Sequence, residues 1–133
     1  DMGIEPFLIS SSVIGILAQR LTRRICSRCK IPKQPTEEEI KVLRLGENDV
    51  IYEGKGCEAC RHTGYRGRIG IFELLMVDDE IRSMIVDKVP ANVIRETAVK
   101  KGMRTLWEDA KLKVRNGITT YSEILRTVYA GGL

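Results

Sequence analysis

Four cysteines arranged as two C-x-x-C pairs constrain this chain more than any other feature of its sequence. Cys26 and Cys29 form the first pair, Cys57 and Cys60 form the second, and 27 residues lie between the pairs. A C-x-x-C turn directs two sulfurs at one point, so two such turns supply the four thiolates of a tetrahedral metal site. Zinc prefers this ligand set, and four sulfurs leave no coordination position open for water. The spacing therefore predicts a structural zinc site rather than a catalytic one.

Other uses of the cysteines fit the chain less well. Disulfides are typical of secreted, cysteine-dense domains, whereas this chain has four cysteines and its first residues do not resemble a signal segment. A redox dithiol needs a single C-x-x-C at the start of a helix, not two matched pairs. His62, the only histidine, is a further candidate ligand, but four cysteines already complete the site. Disulfides, a redox dithiol and a His62 ligand are therefore kept as alternatives that rank below a four-cysteine zinc site.

Basic residues flank the cysteines. Four thiolates and one Zn²⁺ carry a formal charge of about −2, which neighbouring cations can offset by donating hydrogen bonds to sulfur. The alternative is that each of these side chains is simply solvated. The residues concerned are Arg24, Arg28, Lys30, Lys55 and Arg61.

Composition and charge count against two classes of function. The 133 residues carry a net charge of +4, which is spread thinly, and only 5% of them are aromatic. Phosphate-backbone binding needs denser positive charge, and single-strand binding needs more aromatic rings. No stretch approaches the roughly 20 apolar residues that span a bilayer. The opening Asp1-Met2-Gly3 is not a natural start, so we expect the chain to be part of a larger protein.

The first half of the chain is predicted to begin with a helix. Apolar residues repeat with the helical period over residues 6–24, so one amphipathic helix is expected to lead into the first cysteine pair. Pro32 and Pro35 are then expected to break regular structure. A capping box of Thr36 and Glu39 predicts a short helix that stops at Gly46.

Two strands and a glycine-rich loop are predicted next. The apolar run Val50–Tyr52 predicts a strand before the second cysteine pair, and Ile69–Leu75 predicts one that is buried on both faces. Between them, Gly64–Gly70 is predicted to be a loop from which Arg66 and Arg68 project. These arginines either contact a phosphate or an acidic neighbour, or are solvated.

The rest of the chain is predicted to be a small helical bundle, so the expected fold is mainly α with a small β component. Asp78–Glu80, the one acidic cluster considered for catalysis, is assigned to capping and to the helix dipole. Helix starts are predicted at Asp78, Pro90, Thr105 and Thr120, and helix ends at Gly102 and Asn116–Gly117.

Motifs of complete enzymes are absent from the sequence. There is no G-x-x-x-x-G-K-[ST] phosphate loop, no H-E-x-x-H zinc motif and no G-x-S-x-G nucleophile elbow. On its residues alone, the chain is predicted to be a zinc-clasped interaction or accessory domain without catalytic residues. A zinc-ribbon nucleic-acid binder is the alternative, although the thin charge and few aromatic residues disfavour it. A chaperone-type zinc module is disfavoured because it needs four C-x-x-C-x-G-x-G repeats.

Several motifs occur in a fixed order: Asp1–Phe7, Leu17–Leu21, the two cysteine pairs, Gly64–Glu73, Gly102–Leu106 and Asn116–Thr120. Together they resemble the C-terminal part of the secretion ATPases of type II secretion and type IV pilus assembly. The resemblance implies a parent that is a hexameric RecA-like motor, binds ATP with Mg²⁺ and works at the cytoplasmic face of the inner membrane. It also implies contact with an inner-membrane platform protein. The stretch Glu73–Glu80 favours the type II branch.

The same resemblance implies roles for parts of this chain. Cys26, Cys29, Cys57 and Cys60 match the zinc ligands of the family, and Arg66 and Arg68 lie near a neighbouring subunit or a nucleotide. The phosphate loop and acidic motor segments of the family lie upstream, so this chain is not expected to hydrolyse ATP. The implied segments are the helical end of the motor domain (1–25), the zinc subdomain (26–63), a loop and strand returning to the motor (64–75) and a terminal helical region (76–133).

Overall fold

The structure is a computed structural model that describes residues 14–129, and the chain divides into two compact units. Unit 1 comprises Asp1–Ala18 and Phe72–Thr105, and unit 2 comprises Gln19–Ile71 and Leu106–Leu133. No helix within residues 14–129 is long and apolar enough to cross a membrane. The elements, in chain order, are β1 (Gly15–Ile25), β2 (Lys30–Lys33), α1 (Glu37–Leu43), β3 (Ile51–Gly54), a 3₁₀ turn (Glu58–Cys60), β4 (Tyr65–Met76), α2 (Asp79–Val86), α3 (Ala91–Lys100), α4 (Leu106–Arg115) and α5 (Tyr121–Ile124), which continues as a π-helical turn (Leu125–Tyr129).

The strands form two separate two-stranded sheets, β1 with β4 and β2 with β3. In the first sheet, Val77 N donates to Ile14 O at 3.0 Å and Cys26 N donates to Gly64 O at 2.9 Å, so the two strands run antiparallel. The second sheet is also antiparallel. Both sheets have two strands, so each strand has a single neighbouring strand among the described residues.

The predicted fold, mainly α with a small β component, is confirmed only in part, because 40% of the described residues are helical and 27% lie in strands. Over the described part of the predicted helix 6–24, the chain forms strand β1 instead. The residues before 14 lie outside the described range. Leu17 and Leu21 are four apart, a spacing that suits a helix turn but is also a multiple of the strand period of two. Pairing with β4 decides between the two conformations.

Two further local predictions are wrong. Pro32 was expected to break regular structure but lies inside β2, opposite Tyr52; an edge strand tolerates a residue without an N–H. The predicted loop Gly64–Gly70 falls largely within β4, which begins at Tyr65. That strand is not buried on both faces, since Phe72 and Leu74 are exposed while Ile71 and Glu73 are buried.

Side-chain caps confirm the helix starts predicted at Thr36, Asp78 and Thr120. The Thr36 hydroxyl accepts from Glu39 N at 3.1 Å, and the Glu39 carboxylate accepts from Thr36 N at 2.9 Å, which completes the capping box. The Asp78 carboxylate accepts from Ile81 N at 2.9 Å. Helix α1 ends at Leu43, earlier than predicted, because Arg44 adopts a left-handed conformation with φ 54°.

Unit 1 has an aliphatic core and an ion pair between a half-exposed arginine and a buried carboxylate. Val77, Ile81 and Ala98 form the centre of this core. The Arg95 guanidinium donates to both oxygens of Glu73 at 2.7 Å each, which satisfies this buried carboxylate on the inner face of β4. Further apolar side chains pack around the core: Ile16, Leu75, Met84, Ile85, Ile94 and Met103.

Unit 2 is organised around the buried carboxylate of Glu123. Arg23 Nε donates to Glu123 Oε1 at 3.1 Å, Arg23 Nη2 donates to Oε2 at 2.9 Å, and Arg126 donates from one turn further along. Burial alone would raise the pKa of Glu123, but the hydrogen bonds from Arg23 and Arg126 outweigh it and lower the pKa to about 2. The ion pair between Arg23 and Glu123 therefore links strand β1 to helix α5.

We expect Glu123→Gln to lower the free energy of unfolding at neutral pH by about 1–3 kcal/mol, because the substitution removes a buried, charge-assisted pairing. The folded-state pKa of about 2 lies below the ordinary value of 4.5, so this stabilisation is complete above pH 4.5 and is lost as the pH falls towards 2. Denaturant unfolding of both proteins across this pH range measures the difference.

Glu47→Gln is the matched control, because Glu47 is an exposed carboxylate in the same unit. It should change the free energy of unfolding by no more than about 0.5 kcal/mol at any pH. A difference between wild type and Glu123→Gln that stayed constant down to the acid limit would contradict the role given to the charge.

Candidate metal centre

The four cysteines lie at the ends of regular elements that bring them together. Cys26 directly follows β1, and Cys29 directly precedes β2. Cys57 is the N-cap residue of the 3₁₀ turn, and Cys60 is the last residue of that turn. Because the backbone on both sides of each pair is fixed by strand pairing or by the turn, the sulfurs are held in a defined position.

The sulfur positions fit a tetrahedral metal site. All four Sγ atoms lie within 4.8 Å of one another. Three Sγ–Sγ distances, Cys26–Cys57, Cys29–Cys60 and Cys57–Cys60, are each 3.8 Å. A zinc–sulfur bond of about 2.3 Å in a tetrahedron places sulfurs about 3.8 Å apart. The cysteines are free thiols rather than disulfides, so the structure brings together all four residues predicted as ligands.

Backbone amides point at two of the sulfurs. Gly56 N donates to Cys29 Sγ at 3.2 Å, while Cys57 N and Gly64 N donate to Cys60 Sγ at 3.3 and 3.2 Å. Burial would raise the pKa of Cys60, but its two amide donors outweigh burial and lower the pKa to about 6. At Cys29 burial dominates and raises the pKa to about 11. The amide donors to Cys60 therefore favour its anionic form, which is the form that binds a metal.

A close crossing of two glycines fixes the second cysteine pair. A Cβ on Gly54 would lie 2.0 Å from the carbonyl oxygen of Gly64, and a Cβ on Gly64 would lie 2.6 Å from the carbonyl oxygen of Gly54. Gly64 also has φ +84°. Only two residues without side chains allow the backbones before and after Cys57–Cys60 to approach this closely.

Gly54 was missed as a site residue at the level of the sequence. The glycine-rich stretch that begins at Gly64 drew attention to one side of the crossing only. The signal for the other side was the Gly54-Lys55-Gly56 tripeptide just before Cys57. Two glycines just before a C-x-x-C turn indicate that the backbone there lies close to another segment of backbone.

The other residues considered for the site lie around the sulfurs without joining them. His62 is exposed and adopts φ 63°, and the group of possible metal ligands among the described residues contains cysteines only. Lys30 lies over the ring of Tyr52 at 4.7 Å. Arg66 and Arg68 are exposed on β4. Over residues 14–129, the hydrogen bonds to sulfur come from amides and cysteines, so the structure does not support basic side chains as sulfur donors.

Comparisons of this chain with a family model and with individual proteins all indicate the same family. The model of a family described as Type II/IV secretion system protein matches residues 1–126. The type IV pilus assembly ATPase PilB of Thermus thermophilus is 50% identical over 133 residues, 96% of this chain and 15% of that protein. The type II secretion system ATPase E of Vibrio cholerae is 42% identical over 128 residues, 95% of this chain and 25% of that protein. These matches confirm the resemblance that was predicted from the ordered motifs.

The same comparisons show how much of the relatives this chain represents. The type II secretion system protein HxcR of Pseudomonas aeruginosa is 43% identical over 126 residues, 95% of this chain and 24% of that protein. The chain thus spans a quarter or less of the length of these curated relatives. Both the pilus and the type II branch are among them, so the preference for the type II branch stays a prediction.

We expect Gly54→Ala to lower the free energy of unfolding of unit 2 by about 2 kcal/mol or more and to weaken the affinity of the cluster for added Zn²⁺ at least tenfold. The new methyl group would overlap the Gly64 carbonyl oxygen and force the two backbones apart. Competition with a chromophoric chelator measures the affinity, and denaturant unfolding measures the stability.

Gly46→Ala provides the matched control. A Cβ on Gly46 would meet only the Asp49 carboxylate, at an ordinary 3.5 Å. This variant should change stability by about 1 kcal/mol or less and leave the Zn²⁺ affinity unchanged. Equal effects of the two substitutions would show that the crossing does not hold the cysteines.

Proposed function

Because the chain belongs to the Type II/IV secretion system protein family, we propose that it is the non-catalytic, zinc-binding C-terminal region of a hexameric ATPase that powers type II protein secretion or type IV pilus assembly. In this role the region supports the motor, contacts neighbouring subunits and couples the motor to an inner-membrane platform protein. ATP and Mg²⁺ bind the full-length parent, which works at the cytoplasmic face of the inner membrane.

The cluster of four sulfurs is the observation that carries the metal part of the proposal. Cys26, Cys29, Cys57 and Cys60 have the separations of a tetrahedral tetrathiolate site, and zinc is the metal that this ligand set favours. Zinc would supply a crosslink rather than a reaction, since four protein ligands leave no position for substrate. The amides of Gly56, Cys57 and Gly64 hold two of the ligand sulfurs in place.

The crosslink has a mechanical consequence within unit 2. Residues 30–56, with β2, α1 and β3, leave the cysteine cluster after Cys29 and return to it before Cys57. A segment of this size buries too little apolar surface to fold firmly by itself, and a closed metal site adds folding free energy at its base. We therefore assign residues 30–56 the role of a rigid projection that transmits force between the motor and its partners.

The absence of catalytic motifs supports assignment of ATP hydrolysis to the rest of the parent. The relatives are named as ATPases, yet this chain covers only 15% and 25% of their lengths. The phosphate-binding sequence G-x-x-x-x-G-K-[ST] does not occur in the present sequence. The activity of the parent is therefore proposed to need residues outside the chain.

An exposed apolar surface in unit 1 supports the upstream motor domain as a direct partner. Leu17 of β1 is 57% exposed, and Leu74 and Met76 of β4 are 49% and 59% exposed. Phe72 lies two residues before Leu74 on β4, so it shares the same strand face, and it is 41% exposed. Soluble proteins rarely leave large apolar side chains together in water unless they form an interface. The remaining three quarters or more of the parent is the occupant that we assign to this face.

We expect protein purified without added metal to contain one zinc per chain by elemental analysis, and Cys29→Ser to lose that zinc and expose Cys57 and Cys60 to thiol reagents. Helices α2 to α5 should survive the substitution, because their caps and apolar contacts do not involve the metal. Circular dichroism checks the helices, and neither protein should hydrolyse ATP.

Ser27→Ala is the control, since Ser27 is an exposed residue of the same turn and should leave the zinc content unchanged. Wild-type protein with four reactive thiols and no metal would contradict the zinc assignment. ATP hydrolysis by wild type that persisted at constant specific activity through purification would contradict the non-catalytic assignment.

In the full-length parent, we expect replacement of residues 30–56 by a short Gly-Ser linker to abolish secretion or piliation while ATP hydrolysis persists, because the projection is lost but the motor remains. Secretion or pilus assays in cells and phosphate release in vitro measure the two activities. Normal secretion or piliation by this variant would contradict the mechanical role.

A further inference from the structure

A groove with a volume of about 540 Å³ lies in unit 2, between the end of β2 and the segment that connects α1 to β3. Two of its large apolar lining residues, Ile40 of α1 and Val50 just before β3, are exposed. The apolar part of the groove is completed by Pro32, Pro35 and Leu45. The groove therefore gathers apolar side chains in residues 30–56 that the packing of this chain does not cover.

The segment that forms one side of the groove is held by its own hydrogen bonds. Leu45 N donates to Ile40 O at 3.0 Å, which turns the chain back at the end of α1. Gly46 N donates to Asp49 Oδ2 at 2.6 Å, and Asp49 N donates to Gly46 O at 3.2 Å. Since these contacts form without a ligand, the groove is already shaped, and a ligand would have to order little of the protein on binding.

The charges that line the groove are acidic except for one lysine. Lys33 forms an ion pair with the glutamate of the capping box, so the fold already uses its charge. Glu47 and Asp49 also line the groove, both are exposed, and neither forms an ion pair within residues 14–129. Lys41 and Arg44 are exposed in the same unit but do not line the groove. The groove is therefore complementary to an apolar side chain with a cation beside it.

We propose that this groove binds a polypeptide segment that carries an apolar side chain next to a lysine or an arginine. The apolar side chain would pack against Ile40 and Val50, and the cation would pair with Glu47 and Asp49. This inference rests on the proposed function, in which residues 30–56 project towards the partners of the motor. Cytoplasmic loops of inner-membrane proteins carry an excess of Lys and Arg close to their apolar spans, so such loops offer this combination.

Other classes of ligand fit the groove less well. Carboxylates repel phosphate groups, which disfavours nucleic acids and anionic lipid surfaces. Pockets for small polar molecules hold them with a few convergent polar groups. Within residues 14–129, however, every buried side-chain nitrogen or oxygen already has a hydrogen-bond partner. No unused polar group is thus buried in the groove to orient a small ligand.

The test follows the amide NMR signals of the isotope-labelled, zinc-loaded chain during titration at low ionic strength. The probe is a Gly-Ser peptide with two consecutive Leu-Arg pairs, and its matched peptides carry Leu-Gln or Ser-Arg pairs instead. The Leu-Arg peptide should shift the signals of Ile40, Leu45 and Val50 and leave those of unit 1 in place. It should bind at least fivefold more tightly than either matched peptide, because only it supplies both groups.

Variants of the two carboxylates test the charged half of the groove. Glu47→Gln/Asp49→Asn removes both charges and keeps an oxygen that can accept from Gly46 N. It should weaken binding of the Leu-Arg peptide about fivefold, as expected for the loss of two exposed charge pairs, and change that of the Leu-Gln peptide less than twofold. The control Glu37→Gln/Glu96→Gln removes two exposed carboxylates outside the groove and should change neither affinity more than twofold.

Variants of the apolar residues test the other half. Ile40→Ala/Val50→Ala should weaken binding of the Leu-Arg peptide at least fivefold, because less apolar surface is buried on binding. The control Ile31→Ala/Val99→Ala shortens two exposed apolar side chains outside the groove and should leave affinity within twofold. Zinc content is measured for every variant, so that a loss of the metal is distinguished from a loss of the groove.

Three results would overturn the proposal. Equal weakening by the two carboxylate double variants would mean that the peptide responds to net charge and not to the groove. Groove signals that do not move in a chain containing one zinc would remove the docking site and leave the proposed function standing. Groove signals that move with protein concentration in the absence of peptide would assign the groove to a second copy of this chain. Peptide binding by a chain without zinc would contradict the metal part of the proposed function and support the groove.

Discussion

The crossing of two backbones at Gly54 and Gly64 is the constraint on which the cysteine cluster depends. The first pair is delivered by the end of β1 and the second by a short turn that no strand contains, so the turn must be held from both sides. The crossing does this directly, because Gly54, the last residue of β3, lies against Gly64, the residue just before β4. The Gly64 amide donates to Cys60 Sγ, and its carbonyl accepts from Cys26 N. One residue thus contacts both cysteine pairs.

The position of the first pair depends in turn on the C-terminal helix of unit 2. Arg23 lies three residues before Cys26 and is fixed to the buried carboxylate of Glu123 by its backbone and its guanidinium. Two residues further along, Ile25 N donates to Ile118 O at 2.8 Å. These contacts set the depth and register of the end of β1, so residues about 100 positions apart in sequence position the same metal-type turn. Residues 106–129 of unit 2 therefore support the site without touching it.

The features that could be predicted from the sequence are those with local causes. Cysteine spacing, the capping box of Thr36, and the caps at Asp78 and Thr120 each depend on residues within four positions of one another. The strand β1 could not be predicted in this way, because a four-residue spacing suits both a helix and a strand, and only pairing with β4, some 50 residues away, decides. Gly54 and Glu123 were missed as positioning residues for the same reason. Each acts through a partner distant in sequence, and a glycine or glutamate alone gives no sign of that partner.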